Sequence, residues 1–176
     1  MTWDGVRQIL IFDAAEVAGY EPDTGRKLWS FPFSNLQGIN VAQPIPVDER
    51  SLFLSTGYAG GSVRIRVTHE DSKWSAEKEW STPNQFKFKF NDGVLRDGLV
   101  YGLDEGILAC LDVASGERLW RKGRYRYGEI VMVAGDKPAN DRLIVLTESG
   151  EVVLLRVNAS GPEELGRFQA IKGTCW

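Results

Sequence analysis

Short apolar runs with a period of two recur along the chain, separated by polar or glycine-containing turns. Gln8 to Phe12, Glu16 to Tyr20, Val41 to Ile45, Ser51 to Ser55 and Ser62 to Val67 read as strands in the first half. Phe86 to Phe90 alternates phenylalanine with lysine, the pattern of a half-buried strand. Leu99 to Leu103, Ile107 to Leu111, Gly128 to Val133, Leu143 to Thr147, Glu151 to Val157 and Leu165 to Gln169 continue the series. No window sustains a 3.6-residue period, so the pattern predicts very little helix.

Two segments align without gaps. Gly19-Tyr20-Glu21-Pro22-Asp23-Thr24-Gly25-Arg26-Lys27-Leu28-Trp29 matches Cys110-Leu111-Asp112-Val113-Ala114-Ser115-Gly116-Glu117-Arg118-Leu119-Trp120 in chemical class. The shared pattern is a small residue, an acid, Thr or Ser followed by Gly, and a closing Leu-Trp. It predicts a tight hairpin: the acid accepts main-chain hydrogen bonds, the hydroxyl supports it, and glycine supplies positive φ. The indole then covers a neighbouring strand or sheet. Two weaker copies are expected. In one, Ser62 to Val67 leads through a polar loop, Thr68 to Glu77, to Lys78-Glu79-Trp80. In the other, Glu151 to Val157 leads through Asn158-Ala159-Ser160-Gly161 to Leu165, which stands where the tryptophan is expected.

Last-strand residues Trp29, Trp80, Trp120 and Phe168 are spaced 51, 40 and 48 residues apart. Four short strands in such a unit make one propeller blade, and a closed ring needs about four to eight blades. The expected fold is all-β, a partial β-propeller of about four four-stranded antiparallel blades in one domain spanning residues 1–176. The blades fall roughly at 1–34, 35–83, 84–123 and 124–172, with a further blade starting at 173–176. A chain of this kind is expected to be a fragment, or a half that pairs with another chain.

The copies at 19–29 and 110–120 resemble the pyrroloquinoline-quinone-like (PQQ-like) propeller repeat, Ala-x-Asp-x-x-Thr-Gly-Lys-x-x-Trp. The second copy departs at Cys110, Ser115 and Glu117, the first at Gly19, Glu21 and Arg26. The family includes quinoprotein alcohol dehydrogenases and non-enzymatic propellers such as the BamB-like outer-membrane assembly lipoproteins. The resemblance implies docking between blades for Trp29 and Trp120. It further implies a non-catalytic scaffold that binds a protein, a ligand or the missing blades of its own propeller, in the periplasm or cell envelope. The alternative it implies is part of a quinoprotein dehydrogenase, holding PQQ with calcium. No adjacent cysteines and no matching Glu/Asn/Asp set support that alternative, so the expected cofactor is none.

Composition narrows the chemistry. Hydrophobic residues at 43% and charged residues at 26%, with 19 glycines and 7 prolines, are ordinary for a globular β protein. The net charge of −3, with acids spread along the chain, argues against nucleic acid as a partner. No apolar stretch reaches the ~20 residues of a membrane span, and no signal peptide is evident. Cys110 and Cys175 have no metal-ligand spacing; both are expected in strands as free thiols, with a disulfide left open. His69, the single histidine, is expected in a solvated loop with Glu70 and Asp71.

Other motifs have structural readings. Asp104-Glu105-Gly106 and Asn91-Asp92-Gly93 are read as hairpin turns rather than calcium loops. Gly57 to Ser62 is read as a loop rather than a phosphate cradle. Arg121 to Tyr127 is read as an exposed alternating strand rather than a single-strand nucleic-acid track. Asn158-Ala159-Ser160 matches a glycosylation sequon and belongs to the repeat turn. No residue is assigned a catalytic, cofactor-binding or metal-binding role.

Overall fold

A computed structural model describes residues 1–175. Among the described residues seventeen strands form an antiparallel meander, and the only helix is a single 3-10 turn, Pro138–Asn140. In the first unit β1 (Thr2–Trp3) pairs β2 (Val6–Arg7), and β3 (Ile9–Phe12), β4 (Glu16–Tyr20) and β5 (Lys27–Pro32) follow in order. Met1 and Gln8 exchange main-chain hydrogen bonds of 2.9 and 2.8 Å, which extend the β1–β2 ladder by one pair. The second sheet is β6 (Ile45–Pro46), β7 (Ser51–Thr56), β8 (Gly61–Glu70) and β9 (Lys73–Pro83). The third is β10 (Val94–Arg96), β11 (Leu99–Asp104), β12 (Ile107–Asp112) and β13 (Arg118–Arg124). The fourth is β14 (Glu129–Val133), β15 (Arg142–Leu146), β16 (Glu151–Asn158) and β17 (Gly161–Gln169).

Three apolar layers join the units in chain order. Trp3, Val17 and Trp29 meet Leu52, Leu54, Val63 and Ile65 between the first and second. Phe53 faces the other way, into a layer with Phe86, Phe88, Val100, Ala109 and Leu111. Tyr101, Leu103, Leu108 and Cys110 then meet Leu143, Val145, Val153 and Leu155. The period of two explains this division: odd and even positions of one strand serve different layers, so β7 is buried at all six positions. Each fully buried large apolar side chain contributes about 1.5–3 kcal/mol by leaving water.

The repeat turn has the geometry expected of it. Asp112 Oδ1 accepts from the Ala114 and Ser115 amides (3.0 and 2.8 Å) and from the Ser115 hydroxyl (2.9 Å). Gly116 sits at φ 77° and donates to the Asp112 carbonyl at 2.8 Å. The first copy keeps the glycine and the hydroxyl, with Gly25 at φ 70°, its amide bonded to the Glu21 carbonyl and the Thr24 hydroxyl bonded to the Glu21 carboxylate, but that carboxylate takes Arg26 rather than main-chain amides.

Beyond each turn a β-bulge leaves Leu28, Glu79, Leu119 and Leu165 unpaired in β5, β9, β13 and β17. The residue after the bulge is Trp29, Trp80, Trp120 and, in the fourth sheet, Gly166. The tryptophan position there is therefore Gly166, not Leu165, and Phe168 lies two residues further on, opposite Val152. Trp80 Nε1 donates to the Val113 carbonyl in the next sheet's repeat turn at 3.1 Å. Trp120 Nε1 does the same to the Asn158 carbonyl at 2.8 Å. A Cβ on Gly116 would come 2.8 Å from the Trp80 ring, so the indole lies directly on that turn.

Several expected elements differ. Thr68 to Glu77 is not a loop: β8 and β9 run through it to a two-residue turn, with Asp71 and Ser72 at φ 49° and 65°. Val67 and Ala76, paired across the hairpin, face the first unit's core and sustain the alternation. Val41 to Ile45 contributes only Ile45 to a strand, since Pro44 just before it carries no amide donor. Phe86 to Phe90 forms no strand. Phe86 takes φ 54° and its carbonyl accepts from Ser55 Oγ (2.6 Å), which in turn accepts from the Phe88 amide (2.9 Å). Asn91-Asp92-Gly93 belongs to the same connection, not to a hairpin turn. Cys175 lies outside any strand, and Trp176, part of the expected start of a further blade, is outside the described residues.

Two measurements test these junctions. Trp120→Phe, which removes the donor but keeps an aromatic ring, is expected to lower unfolding free energy by about 1–2 kcal/mol in urea titrations, and Trp120→Ala by about 3–5 kcal/mol. Asp112 is held below the ordinary carboxylate range by the Ser115 amide and hydroxyl and by the Ala114 amide. Its charged form therefore stabilises the fold above about pH 4, and that stability is lost as pH falls through the lowered folded value. The stability gap between the parent chain and Asp112→Ala is expected to shrink steadily on acidification below that point.

Candidate functional site

Antiparallel strand order puts alternate connections at opposite ends of the sheets. The turns at 13–15, 57–60, 105–106 and 148–150 share one end with the connections at 33–44, 84–93 and 125–128. The repeat turns, and the turns at 4–5, 47–50, 97–98 and 134–141, share the other. These two ends, together with the outward faces of the first and last sheets, hold the candidate sites.

At the repeat-turn end, a groove of about 310 Å³ opens between the third and fourth sheets, lined by Arg96, Tyr101, Met132, Asp141, Arg156 and Asn158 among others. Arg96 grips Asp141 through Nε (2.7 Å) and Nη2 (3.3 Å), and Asp141 also accepts the Gly135 amide at 2.7 Å. The guanidinium, followed by that amide, holds the Asp141 carboxyl below its ordinary range. Behind it, burial pushes the Tyr101 phenol up and raises the Cys110 thiol to about 12. Both stay protonated at neutral pH, so the phenol offers no base and the thiol no thiolate behind the Arg96–Asp141 pair.

At the opposite end, Asp104 joins three segments. Its carboxylate accepts from the Lys87 amide (3.0 Å), Arg121 Nε (2.8 Å) and Arg118 Nη1 (3.3 Å). Glu105 and Gly106 form the two-residue turn expected of Asp104-Glu105-Gly106, at φ 48° and 84°. Nearby, the Gln43 amide donates to Asp92 Oδ1 at 2.6 Å, while burial and then the charge of Asp92 raise the Glu129 carboxyl. Asn91 Oδ1 is buried without a protein partner among the described residues. Among the described residues no group of three His, Cys, Asp or Glu side chains is placed to hold a metal ion.

The singled-out sequence motifs scatter. His69 is in β8, not in a loop, and stacks on Trp74 with ring centroids 4.2 Å apart. Gly57 to Gly60 form the turn before β8. The run Arg121 to Tyr127 divides: Arg121 is tied to Asp104, Tyr125 is buried in the core, and Tyr127 meets Phe90 edge-on. Asn158 and Ser160 stand at the turn that receives Trp120.

Sequence patterns missed the outward side of the fourth sheet. Val131 pairs with Ile144, Ile144 with Leu154, and Val152 with Phe168, so these side chains share one face. Its opposite side, carrying Leu143, Val145, Val153 and Leu155, is buried against the third sheet. The outward side exposes Val131 at 52%, Val133 at 50% and Phe168 at 62%. On the first unit, Ile9 and Ile11 are similarly exposed.

The two cysteines differ in access, Cys110 being buried and Cys175 half-buried, and both are free thiols. Ellman's reagent is expected to titrate one thiol in the native chain and two after unfolding. Rapid native reaction of both would show that the third and fourth sheets open readily around Cys110.

Residues 1–122 match the family described as outer membrane protein assembly factor BamB. The match spans the three units that carry Trp29, Trp80 and Trp120 and stops before the sheet in which glycine replaces the tryptophan. No curated protein matches the chain. With more than half of its length covered, and with the repeat turn and docked indoles in place, the chain belongs to the BamB family of PQQ-like repeat propellers.

Proposed function

We propose that this chain is a non-catalytic binding scaffold of the cell envelope whose working surfaces are its outward-facing end sheets and the loops at the two ends. The observation that carries the reading is the apolar outward side of the fourth sheet. Val131, Val133, Ile144, Val152, Leu154 and Phe168 form one cross-strand patch there, equivalent in register to the patches that join the other sheets. Apolar patches of this kind mark docking surfaces for protein. A further four-stranded sheet is the occupant that best fits the repeat, whether from the same propeller or from a protein partner. The envelope assignment is supported by the family to which the chain belongs. The reading assigns no cofactor and no nucleic-acid partner.

Light scattering and an apolar fluorescent dye test the patch directly. The parent chain is expected to self-associate with rising concentration and to bind the dye. Val131→Glu combined with Phe168→Glu is expected to abolish both while leaving the β-type circular dichroism unchanged. A parent chain that stays monomeric and dye-free at all concentrations would remove the basis for this reading.

A further inference from the structure

Three aromatic rings from three separate connections surround one ammonium group. Lys89 Nζ lies 4.6 Å from the centroid of Tyr58, 5.0 Å from that of Tyr127 and 5.3 Å from that of Phe90. Tyr58 belongs to the β7–β8 turn, Phe90 to the connection between β9 and β10, and Tyr127 to the connection between β13 and β14. Phe90 meets both tyrosines edge-on, at 86° and 80°, so the rings form walls rather than a stack. All three distances are inside the ~6 Å within which a ring face attracts a cation.

Two further features mark this as a built enclosure. A Cβ on Gly57 would come 3.0 Å from Cα, Cβ and Cγ of Lys89, so the glycine admits the lysine stem against the turn. Tyr58 and Ala59 both occupy the left-handed region, at φ 51° and 63°. For non-glycine residues this conformation is costly and is found where a side chain must be aimed. Among the described residues the contacts found for the Lys89 ammonium are these three rings.

We propose that Tyr58, Phe90 and Tyr127 form a receptor for a quaternary ammonium group, and that Lys89 is its internal placeholder. A primary ammonium is strongly hydrated and gives up much on entering a ring-lined box without a carboxylate. A trimethylammonium group is weakly hydrated, fills the same volume with methyl groups and keeps the full cation–π attraction. The tethered lysine competes at the high effective concentration of an intramolecular ligand, so the free site is weak until Lys89 leaves. The proposal is independent of the docking face on the fourth sheet and concerns the opposite side of the chain's chemistry, a small cationic ligand.

The probe is tetramethylammonium chloride, followed by the upfield shift of its methyl proton resonance as it enters the ring currents. Lys89→Ala is expected to show saturable binding at least tenfold tighter than the parent chain. Adding Tyr127→Leu or Tyr58→Leu to Lys89→Ala should abolish saturation, with circular dichroism confirming the fold of each variant. A folded Lys89→Ala chain without saturable binding overturns the proposal, as does binding that both leucine substitutions leave unchanged. In the parent chain, Tyr127→Leu alone gives a second reading, since it should free Lys89 and speed its modification by an amine-reactive reagent. An unchanged rate would also count against the cage. Choline and phosphatidylcholine vesicles, compared on Lys89→Ala, separate a free ligand from a lipid headgroup.

Discussion

An indole N–H given by one sheet to a turn carbonyl of the next is the contact around which the rest of this molecule is arranged. The β-bulge in the outer strand sets it up, because the extra residue twists the strand and turns the following tryptophan toward its neighbour. The repeat turn completes it from the other side: Asp112, Ser115 and Gly116 use their own hydrogen bonds to hold the Val113 carbonyl where the Trp80 indole can reach it. The apolar layers supply most of the favourable free energy, yet they are non-directional and would tolerate sliding. The indole bond is directional and therefore fixes how one sheet sits on the next.

The junction between the first two units shows what happens when that arrangement is replaced. The second sheet has a long hairpin where the repeat turn would be, and the indole of Trp29 bonds instead to Gln8 Oε1 at 2.7 Å, within its own unit. Trp74, far along the hairpin, packs against the shared apolar cluster, and Trp3 and Trp29 lie 5.9 Å apart. Asp4 and Arg50 add an ion pair across the junction at 3.0 Å, exposed enough that it contributes little. Burial by a reaching hairpin has taken over from a single aimed hydrogen bond.

What could be read from the sequence followed from how local each interaction is. The turn at Asp112 to Gly116 lies within a few residues and uses residue types with few alternatives, so its hydrogen bonds were legible. Phe86 to Phe90 shows the opposite case. Its alternation correctly puts Phe86 and Phe88 on one buried side, but the main chain finds its partners in Ser55 and Asp104, which no pattern in that segment reveals. The hairpin through His69 was hidden because Asp71 and Ser72 lack the glycine that marks a two-residue turn. A bulge shifts register by one, which moved the tryptophan position from Leu165 to Gly166. The ring enclosure at Lys89 was not visible at all, since Tyr58, Phe90 and Tyr127 meet only through the packing of three consecutive sheets.

Gly166 gives the series of sheets a direction. The second and third sheets each receive or hand on an indole, whereas the fourth accepts the Trp120 donor at Asn158 and has no side chain to extend in turn. In a chain made from its amino end, Trp80 and Trp120 are each synthesised before the turn they will bind, and stay unsatisfied until that turn has emerged. The fourth sheet has no such wait. Its structure can become final as soon as its own last strand is in place, which makes it a natural resting point in the order of folding.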